Sequence, residues 1–111
     1  MQQGRAHSRY LRIPPRKARL AADLIRGLGV EEAALQLGYS KLKAGKLLQK
    51  TLASAVANAE NNFSVQRRDL KVLEIRVDVG PVLKRAKSKS RGGRAPVMKR
   101  TSHFTIVVAQ E

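Results

Sequence analysis

Cysteine and tryptophan are absent from this chain, and only four of its 111 residues are aromatic. Without cysteine the protein forms no disulfide framework and no thiolate metal site, which is typical of a reducing compartment. The two histidines, His7 and His103, lack neighbouring carboxylates and make a poor metal set. With so few rings, a core must be mostly aliphatic, and few nucleobases can be stacked. We expect neither a metal nor a cofactor.

Long apolar runs are also missing. None approaches the about 20 residues of a membrane span, and the N-terminal run MQQGRAHSRYLRIPPRK lacks the apolar stretch that export requires. We therefore expect a soluble cytoplasmic protein without a membrane partner. No convergent acid, base and nucleophile is visible. Ser102 and His103 are neighbours on a predicted strand, so their side chains point to opposite faces. We predict that the protein is not an enzyme.

Acidic residues are few, and they are unevenly distributed along the chain. The chain has 23 Lys and Arg against 8 Asp and Glu, a formal charge of +15. Residues 81–100 hold eight basic and no acidic residues, with Gly92 and Gly93 just past the centre of this segment. Such a segment cannot fold around its own side chains, because its charges repel one another and few apolar groups are present. This pattern predicts a polyanionic partner, namely nucleic acid.

The remaining residues carry regular periodicities. Leu48, Leu52 and Val56 recur at helical spacing, whereas Ile75 and Val77 alternate with charged residues as in a strand with one buried face. The same reasoning predicts strands over residues 7–13, 73–79 and 101–109 and helices over 17–26, 30–37 and 41–61. We therefore predict an α+β fold over residues 1–111, a single domain with three helices packed on a small antiparallel three-stranded sheet.

The basic segment lies between the last two predicted strands. The simplest geometry is an antiparallel pair whose strands continue outward as a long protruding β-hairpin over residues 81–100, with Gly92 and Gly93 at the reversal. Arms of about ten residues at ~3.3 Å each would project roughly 30 Å, farther than the radius of a domain of this size. Such an arm requires a partner that surrounds it.

Five collinear blocks of the sequence resemble the bacterial ribosomal protein L-twenty-two family of the large subunit. They are PRKARL at 15–20, DLIRG at 23–27, SAVANAEN at 54–61, GP followed by KR at 80–85, and KRTSH at 99–103. The blocks extend over nearly the whole chain, in order. In this family a serine commonly precedes the first block and caps the first helix. Here Pro14 takes its place, so we expect the cap to come from elsewhere.

The resemblance implies a domain on the outside of the large subunit and a hairpin threaded through ribosomal RNA. It also implies that the protein helps the RNA to assemble and that the hairpin tip lies at the wall of the nascent-peptide exit tunnel. The expected partners are large-subunit ribosomal RNA, neighbouring ribosomal proteins and, near the tip, the nascent peptide, without homo-oligomers. By position the tunnel tip comprises Arg91, Gly92, Gly93 and Arg94. The implied RNA-binding residues are Arg9, Arg12, Arg16, Lys17, Arg19, Lys84, Arg85, Lys87, Lys89, Arg91, Arg94, Lys99, Arg100 and His103.

The main alternative is an architectural DNA- or RNA-binding module outside the ribosome. Such a protein would bind isolated duplexes tightly and insert apolar wedges, for which Val82, Leu83, Val97 and Met98 are available. A filter-binding comparison of duplex DNA with structured ribosomal RNA distinguishes the two functions. The scarcity of aromatic residues and the collinear blocks favour the ribosomal one.

Overall fold

The computed structural model of the chain describes residues 3–88 and 94–110. The described part contains three helices and a three-stranded antiparallel sheet, so the predicted α+β class is confirmed. None of these helices is both long and apolar enough to cross a membrane. The elements, in chain order, are β1 (Gln3–Leu11), α1 (Pro15–Ile25), α2 (Val30–Tyr39), α3 (Lys43–Phe63), a short 3-10 helix (Arg67–Asp69), β2 (Leu70–Val79), β3 (Leu83–Ser88), β4 (Arg94–Lys99) and β5 (Ser102–Gln110).

The main sheet has the order β1-β5-β2. The predicted pairing of β2 with β5 is confirmed, because Ile75 pairs with Ile106 and Val77 with Phe104 in an antiparallel ladder. Phe104 and Ile106 are fully buried. Side chains alternate along a strand, so these residues face the helices while their neighbours face the open side of the sheet. The central strand β5 therefore contributes to both faces.

Helix α3 packs directly against β1, and glycine permits their close approach. A Cβ atom at Gly4 would collide with the backbone carbonyl of Ala55 and with the Cβ of Ala59. Both alanines are buried, as are Leu48 and Leu52 farther along α3. The mostly aliphatic core predicted from the composition is thus confirmed, and many of its residues are alanine. It fills the space between the three helices and one face of the sheet.

Helix α1 begins two residues before the predicted start. Pro15 occupies its first turn, where a missing N–H costs nothing, and Pro14 is the N-cap residue without a side-chain hydrogen bond. The Pro14 carbonyl accepts from the N–H groups of Lys17 and Ala18, both at 3.1 Å. Along the sheet edge, Arg19 and Arg26 donate to carbonyls of β2. Helix α1 therefore covers an edge strand that would otherwise be open to pairing.

Strands β3 and β4 form a separate antiparallel pair that continues from β2 and β5. At the junction the Gly80 N–H donates to the Thr101 carbonyl at 3.0 Å, and the Thr101 hydroxyl donates to the Pro81 carbonyl at 2.6 Å. The register of β2 and β5 would pair Leu83 with Met98, but Leu83 pairs with Lys99. Pro81 cannot donate to a ladder, so the pairing is interrupted here and resumes one residue out of step.

The described part is elongated, with extents of 63 × 24 × 16 Å and a radius of gyration of 16.9 Å. A compact chain of this length would have a radius of gyration of about 13 Å. Lys89, Arg91, Gly92 and Gly93 fall outside the described residues. The turn of the hairpin and the full length of its arm therefore stay predictions.

Candidate nucleic-acid interface

A recess between the starts of α1 and α3 is lined by four cations. Arg12 and Lys17 enter it from the β1–α1 side, and Lys41 and Lys43 from the segment that leads into α3. All four are exposed, and Leu20 and Leu42 supply apolar walls. Cationic groups beside apolar walls are suited to binding the phosphates and sugars of a nucleic-acid backbone.

A second recess adjoins the first, because Pro14 and Lys17 line both. It adds Arg16 from α1 and Arg100 from the end of β4, with Val79 and Val82 as apolar lining. We call the two recesses together the basic trough. No carboxylate lines it, so nothing in its described lining neutralises its charge. The cations of the basic trough are Arg12, Arg16, Lys17, Lys41, Lys43 and Arg100.

Helices α1 and α3 begin at the basic trough, and both carry positive charge in their first turns, where the helix dipole disfavours it. Helices α1 and α3 have no acidic residue in their first turns and no side-chain cap, whereas α2 begins with Glu31 and Glu32. The positive end of the helix dipole favours an anion at such a terminus. Lys17 and Lys43 thus lie where a cation slightly destabilises the helix and where a phosphate would be favourable.

On the β3–β4 pair, cations occupy both faces of the ribbon. Leu83 lies opposite Lys99, and Arg85 lies two residues from Leu83, so Arg85 and Lys99 share one face. Lys84 lies on the other face, opposite Met98. All three cations are exposed. A ribbon charged on both faces is suited to a partner that encloses it. Lys87 and Arg94 belong to β3 and β4 by backbone position.

Arg9 and His103 lie outside the basic trough, on the open face of the sheet. A β-bulge places Arg9 and Tyr10 together opposite His103, because Ser8 pairs with Phe104 and Leu11 pairs with Ser102. The Tyr10 N–H donates to His103 Nδ1 at 3.1 Å, and the two rings meet edge to face with centroids 5.0 Å apart. The structure thus separates these two predicted residues from the other described ones.

Arg19 faces β2 rather than the basic trough. Its Nη2 donates to the Val77 carbonyl at 3.1 Å, and Arg26 Nη2 donates to the Ile75 carbonyl at 3.3 Å. Arg26 Nη1 also binds Asp23 Oδ1 at 2.6 Å. Arg19 remains exposed, and its other guanidinium N–H groups stay available to a phosphate.

Two cations of the basic trough, Lys41 and Lys43, were not identified from the sequence. The available signal was a helix that begins with lysine and lacks a carboxylate in its first turn. A second expectation concerned Ser102 and His103. The Ser102 hydroxyl donates to the Ile13 carbonyl at 2.6 Å within the core, whereas His103 contacts Tyr10 on the open face. The two side chains therefore do not form a catalytic pair.

Comparisons with known proteins identify the family that this chain resembles. A family model described as ribosomal protein L22p/L17e matches residues 6–109. The chain is 64% identical over 109 residues to the large ribosomal subunit protein uL22 of Protochlamydia amoebophila, with 98% of each chain covered. It is 60% identical to the protein of the same name from Chlamydia pneumoniae and 61% identical to that from Chlamydia felis, with 96% of each chain covered.

Proposed function

Because the chain belongs to the ribosomal protein L22p/L17e family, we propose that its basic trough and its β3–β4 arm bind large-subunit ribosomal RNA. The protein is a structural constituent of the large ribosomal subunit and works in the cytoplasm, where it associates with ribosomal RNA and other ribosomal proteins. The observation that carries the proposal is the run of six cations without a carboxylate along the basic trough.

Phosphate neutralisation supplies the affinity. Each phosphate that Lys or Arg neutralises releases condensed counterions, and the gain depends on salt rather than on base sequence. Arg12, Arg16 and Arg100 can each present two N–H groups to one phosphate, whereas lysines act as point charges. Shape decides the site, because the recesses, and not a set of base contacts, fix where a backbone can lie.

The arm extends this interface away from the helices. Cations on both faces of β3 and β4 favour insertion between RNA segments, and Arg100 connects the arm to the basic trough. We assign residues 81–100 to this arm and residues 1–111 to one domain that carries it. The implied tip, Arg91 to Arg94, lies in part beyond the described residues. Its place at the wall of the exit tunnel and its contact with nascent peptides are part of the proposal.

Two other functions are less well supported. The family is one of structural ribosomal proteins, and catalysis forms no part of the proposal. Architectural DNA binding would need exposed apolar wedges. Of the four candidates, Val82 and Leu83 are half-buried and Met98 is exposed. The relatives that match the chain over 96% to 98% of each length are ribosomal proteins, which favours RNA.

The test compares two sets of substitutions with equal loss of charge. Gln at Arg12, Lys17, Lys41 and Lys43 should weaken binding of ribosomal RNA fragments and reduce the log-log salt slope by ~0.7 to 0.9 for each phosphate that is no longer neutralised. Gln at Lys46, Lys50, Arg67 and Arg68, which lie outside the basic trough, should leave the slope nearly unchanged. Equal effects of both sets would show that net charge alone attracts the RNA and would overturn the assignment.

A separate experiment tests the tunnel. Ribosomes that carry a deletion of residues 90–92 should assemble, because the cations of β3 and β4 remain. They should differ from the parent in binding of tunnel-directed antibiotics or in stalling by particular nascent peptides. If drug footprints and stalling profiles both match the parent at full occupancy of the protein, the tip does not shape the tunnel.

A further inference from the structure

We propose that the recess around Tyr10, on the open face of the sheet, binds a single unpaired guanine base of RNA. This inference rests on the proposed RNA-binding function and adds a base-specific contact to it. The recess has a volume of about 280 Å³, which is ample for a purine. It lies away from the basic trough, and phosphate contacts do not account for its composition. The polar residues that line it are His7, Arg9, Tyr10, Arg76, Asp78, His103 and Thr105.

Tyr10 is held as an exposed aromatic surface. Its backbone φ is +58°, in the left-handed region that a bulky residue adopts only at a cost of about 1 kcal/mol or more. The bulge and the bond from Tyr10 N–H to His103 Nδ1 maintain this conformation. The residue is 63% exposed although its ring packs edge to face on His103. A strained backbone that presents a rigid ring to solvent is suited to stacking a base.

Asp78 gives the recess its selectivity. It pairs with His103 in the ladder and so shares the open face, and within the described chain its carboxylate forms no ion pair. A carboxylate repels phosphates. Its presence in the lining of this recess therefore favours binding of the edge of a base over binding of the phosphate backbone. Guanine is the base whose Watson–Crick edge presents two adjacent donors, N1–H and the N2 amino group, to such a carboxylate. Adenine, cytosine and uracil each place an acceptor next to their donor.

Two guanidinium groups complete the match. Arg9 and Arg76 line the same recess, and guanidinium donors pair with the O6 and N7 acceptors of guanine. Arg76 keeps its Nε on Glu74 at 3.1 Å, which leaves its terminal nitrogens for a ligand. His7 Nδ1 lies 3.0 Å from the Thr105 hydroxyl, so those two groups already satisfy each other. An aromatic ring, a carboxylate and two guanidinium groups thus line one recess, and these are the kinds of group that recognise a guanine base.

Fluorescence of Tyr10 tests the proposal directly. The chain has no tryptophan and two tyrosines, so a Tyr39→Phe variant leaves Tyr10 as the only tyrosine. This variant is titrated with short oligouridylates that carry guanine, inosine, adenine or an abasic site at one central position. Guanine should quench Tyr10 and bind about tenfold more tightly than inosine, which lacks the N2 amino group. Equal affinity for the four oligonucleotides, or binding without quenching, would overturn the proposal.

Substitutions separate the ring from the carboxylate. Tyr10→Asn removes the ring but tolerates the left-handed backbone, and should weaken guanine binding about 5- to 150-fold, whereas Tyr10→Phe should retain it. Asp78→Asn should abolish the preference for guanine over inosine while it strengthens binding of the abasic oligonucleotide, because a negative charge is removed. Asp69→Asn, an exposed control with the same charge change, should keep the preference. Retained discrimination in Asp78→Asn would contradict the assignment.

The two proposals fail in different ways. If ribosomal RNA fragments bind with a steep salt dependence but the central base has no effect, the guanine site is wrong and the phosphate interface stands. If neither ribosomal RNA fragments nor the oligonucleotides bind, both proposals are wrong.

Discussion

At the scale of single residues, close packing in this protein depends on the smallest side chains. Gly4 contacts the backbone of α3 so closely that any Cβ atom would collide with the Ala55 carbonyl, and Gly80 lies equally close to the Thr101 side chain. Backbone atoms cannot move aside as flexible side chains do. A methyl group at Gly4 therefore requires β1 and α3 to separate.

We expect Gly4→Ala to destabilise the fold by about 1 to 3 kcal/mol, the usual range for overpacking a core. Gly38→Ala is the matched control. Gly38 lies in α2, and its Cβ would meet only the end of the Gln49 side chain at 3.3 Å. It should be neutral or stabilising by up to about 1 kcal/mol, because alanine favours helix. Urea unfolding measures both, and equal effects would contradict the packing of β1 on α3.

A buried hydroxyl provides a second residue-scale prediction. The Ser102 side chain is fully buried and donates to the Ile13 carbonyl at 2.6 Å. Ser102→Ala leaves that carbonyl without its partner and should cost about 1 to 3 kcal/mol of stability. RNA binding measured under conditions where the variant is folded should not change, since Ser102 faces the core. A stability loss below about 0.5 kcal/mol would mean that water replaces the hydroxyl.

Among the elements, α1 and α3 begin with cations and without carboxylates, a charge that suits the proposed RNA binding better than it suits helix stability. Lys17 lies in the first turn of α1, where a cation opposes the dipole, and no carboxylate compensates for it. The same residue lines both parts of the basic trough. Folding and the proposed RNA binding would therefore place opposite demands on this one side chain.

Lys17→Glu should stabilise the free protein by about 0.3 to 1 kcal/mol and weaken RNA binding. The control is Lys50→Glu, which makes the same charge change in the interior of α3, away from the helix ends. That variant reduces the net charge equally but gains nothing from the dipole. Thermal unfolding and salt-dependent RNA binding measure the two properties. If both variants gain the same stability, relief of overall repulsion, and not the helix start, is the cause.

At the scale of the whole molecule, stability and charge are separated in space. The apolar core lies between the helices and the main sheet, whereas β3 and β4 pair with each other outside it. The arm therefore gains little from hydrophobic burial, and its conformation depends on one two-stranded ladder. Isolated two-stranded pairs are marginally stable in water.

In the free protein, trypsin should cleave first in the arm, at Lys84, Arg85 or Lys99, while the core remains resistant. In the assembled large subunit the same bonds should be protected if, as proposed, RNA encloses both faces of the ribbon. Mass spectrometry of the first fragments in each state measures this difference. Cleavage at the same rate in both states would contradict an enclosed arm, and first cleavage within α3 would contradict the stability of the core.

Features that depend on local spacing and on composition could be predicted from the sequence. Helical and strand periodicities predicted the three α-helices of the described residues and the strands of the main sheet, but not the short 3-10 helix. The basic segment, which contains no acidic residue, predicted the kind of partner. The largest error was at β1, which begins at Gln3 instead of residue 7. Gly4 and Ala6 have low strand propensity, and they join the strand because they pack against α3 and pair with β5.

Only the tertiary structure decided which side chains meet. Lys43 and Arg12 are 31 positions apart in the chain, and the Lys43 ammonium donates to the Arg12 carbonyl at 3.3 Å. Tyr10 and Asp78 share a recess because both lie opposite His103 on the central strand β5. The bulge in β1 places Tyr10 there, and the register of β2 places Asp78 there. Register and bulges are set by packing across the sheet rather than by local preference. The charge of the interface can therefore be inferred from composition, whereas its shape cannot.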